Sequence, residues 1–130
     1  MGPAVINNGG DNAHYRTIAV VDDDSAVCDS MRLLLEIHDF RVRTYQSAAD
    51  FLGDNPDIAC LIVDYQIPGL DGLQFVSELR RRGREMPAIM ITASSDPIIE
   101  RRAAELGIKH VLKKPLSNRV LLGLIREALG

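Results

Sequence analysis

Ile58-Ala59-Cys60-Leu61-Ile62-Val63-Asp64 is an unbroken apolar run that stops at a carboxylate. It is too short for a buried helix and has no polar alternation, so it reads as a strand covered on both faces, as in the middle of a parallel sheet. The pattern recurs on either side. Ile18-Ala19-Val20-Val21 ends at Asp22, Ala88-Ile89-Met90-Ile91 ends at Thr92, and His110–Lys113 is a short strand ending at Lys114. Phe40–Tyr45 instead alternates Val42 and Thr44 with Arg41 and Arg43, as an edge strand does.

Helical periodicity fills the gaps. Val27, Met31, Leu34 and Leu35 fall at i, i+4, i+7 and i+8, with Ser25 as the expected cap. Ser47-Ala48-Ala49-Asp50 reads as a capping box ahead of Phe51 and Leu52. Ile67-Pro68-Gly69-Leu70-Asp71-Gly72 is a loop. A helix with Phe75, Val76 and Leu79 follows it, and Asp71 is its start. Ile98, Ile99, Arg102, Ala103 and Leu106 form a fourth helix, with Gly107 as its stop. Val120, Leu121, Leu124, Ile125 and Ala128 are the expected inner face of the last helix.

Repeated strand–helix units imply an α/β fold with a parallel sheet and helices on both faces. Right-handed crossovers restrict the topology. The expected solution is a doubly wound, five-stranded sheet in the flavodoxin-like order 2-1-3-4-5. Its first and third strands flank the topological switch point, where a crevice opens beyond the carboxyl ends of the strands.

The chain has 130 residues, 46% of them hydrophobic and 25% charged, which fits one globular domain. No apolar run nears the ~20 residues needed to span a bilayer. There is no basic, apolar secretory leader, so a cytoplasmic protein without membrane contact is expected. The net charge of -3 argues against direct nucleic-acid binding. Residues 1–16 are rich in turn formers and are expected to be a flexible leader. Cys28 and Cys60 fit no metal or redox spacing and are expected as buried, reduced thiols.

In the expected topology Asp22 and Asp23 end the first strand and Asp64 ends the neighbouring third, so three carboxylates converge on the crevice. Without a partner they repel, and at least one pKa rises. Mg²⁺, which takes one or two carboxylates plus phosphate oxygens, resolves that conflict. Thr92 can donate to a phosphate oxygen, and Lys114 can pair with the same group as a compact cation. Pro115 sets the next turn, where a Lys–Pro bond can be cis.

Asp22-Asp23 after an apolar strand, Asp64 followed by Ile67–Gly72, Thr92-Ala93 and Lys114-Pro115 closely resemble the receiver domain of two-component response regulators. The resemblance covers roughly residues 17–129 and assigns residues 17–130 to a receiver domain. It implies that Asp64 accepts a phosphoryl group from a sensor histidine kinase or phosphotransfer protein. It also implies that Asp22, Asp23, Asp64 and the backbone carbonyl of Gln66 hold Mg²⁺, and that Thr92 and Lys114 bind the phosphoryl group and act in the switch. The implied protein is a switch that assists its own phosphorylation and dephosphorylation, not a turnover enzyme. An output domain or downstream protein reads the face of helix 4, strand 5 and helix 5, and homodimerisation on phosphorylation is compatible with it. One position departs from the family: Val111 stands where a switch aromatic is usual, which puts the threonine–aromatic coupling in doubt.

Two other readings compete. A phosphatase of the haloacid-dehalogenase type also uses a strand-end aspartate, Mg²⁺ and a lysine. Its acidic motif, however, does not continue as Ser25-Ala26, and 130 residues leave no room for a cap domain. A phosphorylation-independent, receiver-like protein-binding module would be expected to lack one of the key residues, and all are present. Elsewhere the plainer reading holds: Asp24 is a cap or surface residue, Lys113 faces solvent, and Arg80-Arg81-Arg82 with Arg84 is a solvated helix end complementing the dipole.

Overall fold

The computed structural model describes residues 17–130, so the leader expected over residues 1–16 lies outside the described residues. Each apolar run forms a strand: β1 (Thr17–Val21), β2 (Arg41–Tyr45), β3 (Cys60–Asp64), β4 (Ala88–Thr92) and β5 (His110–Lys113). The helices between and after them are α1 (Ser25–Ile37), α2 (Ala48–Asp54), α3 (Gly72–Arg81), α4 (Pro97–Glu105) and α5 (Asn118–Leu129). All strand pairs are parallel, in the order β2-β1-β3-β4-β5. This is the doubly wound α/β sheet that the strand–helix alternation demands.

Strand side chains alternate between two apolar layers. Ile18, Val20, Cys60, Ile62, Ile89 and Ile91 meet α1 and α5 through Met31, Leu35, Leu121, Leu122 and Ile125. Ala19, Val21, Leu61, Val63, Ala88 and Met90 meet α2, α3 and α4 through Phe51, Phe75, Val76, Leu79, Ile99 and Ala103. In the second layer the Phe51 and Phe75 rings stand edge to face, 5.3 Å apart at 81°. Burying one such side chain contributes about 1.5–3 kcal/mol, so both faces must be covered for the central strands to hold their register.

Every helix starts on an aspartate or serine whose side chain takes an otherwise unpaired amide. Asp24, not Ser25, caps α1, accepting from Ala26 N at 2.9 Å. Only Asp24 has the extended backbone of a cap; Ser25 is already helical. Ser47 caps α2. The complete reciprocal capping box occurs at α3, between Asp71 and Gln74. In α5, Leu122 is buried where Val120 was expected, and Val120 is 49% exposed. The helix therefore turns its inner face toward Leu121, Leu122 and Ile125.

The arginine run divides in two. Arg81 and Arg82 stay exposed and pair with Glu78. Arg80 turns inward: its Nε donates to Leu106 O at 2.9 Å, and its guanidinium donates to the Arg84 and Met86 carbonyls. Arg84 donates to Asn55 Oδ1 and Pro56 O and lies 5.6 Å from the Phe51 ring centroid. A local charge pattern cannot reveal carbonyl acceptors this far along the chain. Both cysteines are free and buried, and burial pushes the Cys60 thiol up to about 12. Among the described residues no helix is long and apolar enough to cross a membrane.

Gly72 begins α3 directly beneath the end of β3. A Cβ there would lie 2.6 Å from Asp64 O and 3.0 Å from Tyr65 Cα, both backbone atoms. Gly72→Ala is therefore expected to lower unfolding stability by about 1–3 kcal/mol, measured by urea denaturation. A wild-type midpoint would show that the β3–α3 loop relaxes freely.

Candidate functional site

The parallel register sets the level of each strand end. Val21 pairs with Val63, so the next residues, Asp22 and Asp64, emerge side by side. Asp64 pairs with Ile91, one residue before Thr92, and Thr92 pairs with Lys113, one residue before Lys114. Four polar side chains of three chemical kinds thus gather at the carboxyl ends of the strands, as expected of the crevice there.

Asp64 is buried, and one carboxylate oxygen accepts from each side. Gln66 N donates to Oδ1 at 2.9 Å, and Lys114 Nζ donates to Oδ2 at 2.6 Å. The hydrogen bond to Asp64 is the main cause that raises the Lys114 pKa, with the charges of Asp64, Asp22 and Asp23 adding to it. Asp22 is only 3% exposed, and its Oδ1 accepts from Asp24 N at 2.9 Å. Burial, together with the Asp64 carboxyl beside it, pushes Asp22 up to about 6, against the pull of the Asp24 amide and Lys114. From below, the Cys28 thiol donates to Asp22 O at 3.3 Å.

Asp23 remains exposed at the rim, so the close carboxyl pair is Asp22 with Asp64. Among the described residues no three His, Cys, Asp or Glu side chains form a group that could hold a metal ion by themselves. A buried carboxyl pair facing one ammonium, open to oxygens from backbone and substrate, fits a hard cation of the Mg²⁺ kind, which seldom sits in an all-protein cage.

Thr92 is 4% exposed and its Oγ1 accepts from Ser94 N at 3.0 Å. Its carbonyl accepts from Lys114 N at 2.9 Å, which ties the lysine to β4. The Lys114–Pro115 bond is cis. Lys113 faces outward, toward the Ser95 hydroxyl. Gln66 pairs with Asp71 in an isolated bridge, closing the loop under Asp64. Val111 is half-buried against the α2–α4 layer and brings no ring to β5.

Asp22 holds its proton more tightly in the folded chain than at the ordinary value of 3.8. Folded molecules therefore bind more protons than unfolded ones between about pH 4 and 6, and stability falls as pH rises through that window. In buffer free of divalent cations, Asp22→Asn is expected to raise stability at pH 7 by up to about 3 kcal/mol. The advantage should vanish below about pH 4, where both states are protonated. Urea midpoints across that range measure it. A pH-independent difference would mean that the Asp22–Asp64 pair carries no electrostatic cost.

The family model described as the response regulator receiver domain matches residues 18–126. The transcriptional regulatory protein FixJ of Azorhizobium caulinodans is 36% identical over 115 residues, which is 87% of this chain and 54% of that protein. The chain spans about half the length of the curated relatives it matches. A CheY-like receiver domain from Methanospirillum hungatei JF-1 superposes with a TM-score of 0.82 at 26% identity, covering 88% of this chain and 93% of that one. The BeF3-activated DrrB receiver domain superposes with a TM-score of 0.79 at 26% identity, covering 87% of this chain and 96% of that one. With a family match over nearly all the described residues and the sheet order to go with it, the chain belongs to the response regulator receiver domains, the signalling switches of two-component systems.

Proposed function

We propose that this receiver takes a phosphoryl group on Asp64 from a phosphohistidine of a sensor histidine kinase or phosphotransfer protein, or from a small acyl phosphate. The observation that carries the reading is Lys114 Nζ at 2.6 Å from Asp64 Oδ2, beside the buried Asp22 carboxyl. An Asp64 oxygen forms the new O–P bond as the P–N bond to the donor imidazole breaks, and the leaving nitrogen takes up a proton. Lys114 already points at the attacking group, so it can follow charge onto the phosphoryl oxygens with little rearrangement. Asp22, Asp23, Asp64 and the backbone carbonyl of Gln66 would hold Mg²⁺, whose charge, when bound, offsets that of the transferring group. Thr92 donates its hydroxyl to a phosphoryl oxygen. The added charge then shifts the population of the β4–α4 loop and of the α4–β5–α5 face, which an output domain or downstream protein reads. The chain is a stoichiometric phosphoacceptor, not a turnover enzyme.

The experiment is incubation with a small acyl-phosphate donor, with and without Mg²⁺, followed by intact mass. The wild type is expected to gain one phosphoryl group only with Mg²⁺, and Asp64→Asn to gain none. A wild type that neither gains mass nor binds a stable phosphoryl mimic would leave the phosphorylation-independent binding module as the better reading.

A further inference from the structure

The last turn of α5 is held less by the core than by polar contacts on two sides. Leu121, Leu122 and Ile125 are buried and fix the helix to the sheet, whereas residues 126–130 are not buried. Ala128 and Leu129 pack only partly against that layer. Two consecutive residues of this turn each reach a histidine. Arg126 Nη2 lies 3.4 Å from Nδ1 of His38, the C-cap residue of α1. Glu127 Oε2 lies 3.7 Å from Nε2 of His110, the first residue of β5. Both contacts lie at the amino ends of the strands, at the far end of the sheet from Asp64.

The two contacts respond to a proton with opposite signs. A guanidinium carries no acceptor, so Arg126 donates and His38 accepts through a neutral Nδ1. A proton there removes the acceptor and sets two cations against each other. At His110 a proton instead turns the approach to the Glu127 carboxylate into an ion pair. The surrounding charges leave these signs unchanged. Arg80 of α3, Glu85 of the α3–β4 loop and Lys109 line the same cavity as His110 and Glu127. Arg80 and Lys109 balance Glu85 and Glu127, so the carboxylate at 3.7 Å decides the response of His110. Around His38 the charged chain neighbours are Glu36, which pairs with Arg32, and Asp39 and Arg41. Arg126 is the charge that a second element brings to its ring.

We infer that the last turn of α5 is a pH-sensitive lever, tied to α1 through Arg126–His38 when both rings are neutral and drawn toward β5 through Glu127–His110 when they are protonated. Acidification breaks the first contact and makes the second, so the two effects add. Histidine side chains change charge within about pH 5–8, which places the lever in an ordinary range. The half-buried Ala128 and Leu129 allow the turn to move, while Leu121, Leu122 and Ile125 hold the rest of the helix. No phosphoryl group is needed, so the lever stands or falls apart from the reading of Asp64.

The test is the measurement of residual dipolar couplings for the α5 amides at pH 8 and pH 5.5. The wild type is compared with a double variant carrying His38→Gln and His110→Gln. Glutamine keeps a side-chain acceptor for Arg126 and gains no charge. In the wild type the couplings of residues 126–130 are expected to change between the two pH values, while those of residues 121–125 stay the same. In the double variant the last turn should give the same couplings at both. Asp22, pushed up to about 6, titrates in this range in both proteins. A change of the last turn that survives in the double variant therefore comes from outside the two histidines and overturns the inference. Unchanged couplings over residues 126–130 in the wild type overturn it without recourse to a variant.

Discussion

Two carboxyl groups, Asp22 and Asp64, sit side by side at the ends of adjacent parallel strands, mostly out of water. Burial and the neighbouring Asp64 carboxyl both disfavour the charged form of Asp22, which is pushed up to about 6. Lys114 meets half of the problem at Asp64. The rest of the negative charge is what a hard cation bound between the carboxyls would offset. A scaffold able to relax would separate the two groups, so the site depends on a sheet that cannot.

The rigidity comes from covering the sheet twice. Because β1, β3 and β4 are apolar on both faces, a one-residue slip would not expose polar groups within the strands. It would instead move Asp22 or Asp64 out of line and break the helix packing on both sides. The loops are held just as closely. Gly72 lies against the Asp64 backbone, and Arg80 and Arg84 bind the carbonyls of segments around the base of α3. In contrast, the β4–α4 loop is held by exposed side-chain-to-amide bonds. Fixed elements thus surround the reacting group, while the exchangeable bonds lie on the way out to α4.

Much of this was legible in the residues. Unbroken apolar runs mark strands because a strand covered on both sides needs no polar positions, and that is a local property. Helix caps were legible to within a residue. Asp24 and Ser25 are both good caps, and only the backbone conformation separates them. The inner face of α5 was read with the wrong phase at Val120 and Leu122, since a helix rich in apolar residues has several acceptable faces until the sheet selects one. The inward turn of Arg80 was not legible at all: its partner Leu106 lies 26 residues away, and a cation near a helix end satisfies the dipole equally well in solvent.

The sequence by itself determined the order of strands and helices, the topology that follows from handed crossovers, and which reactive side chain stands at each strand end. Those properties depend on local pattern and chain connectivity. Tertiary structure alone decided the register that levels Asp22 with Asp64, the exposure of Asp23, and the pairing of Lys114 with Asp64 across 50 residues. Each of these is set by the spacing between chains packed against one another, and no window of sequence contains that spacing.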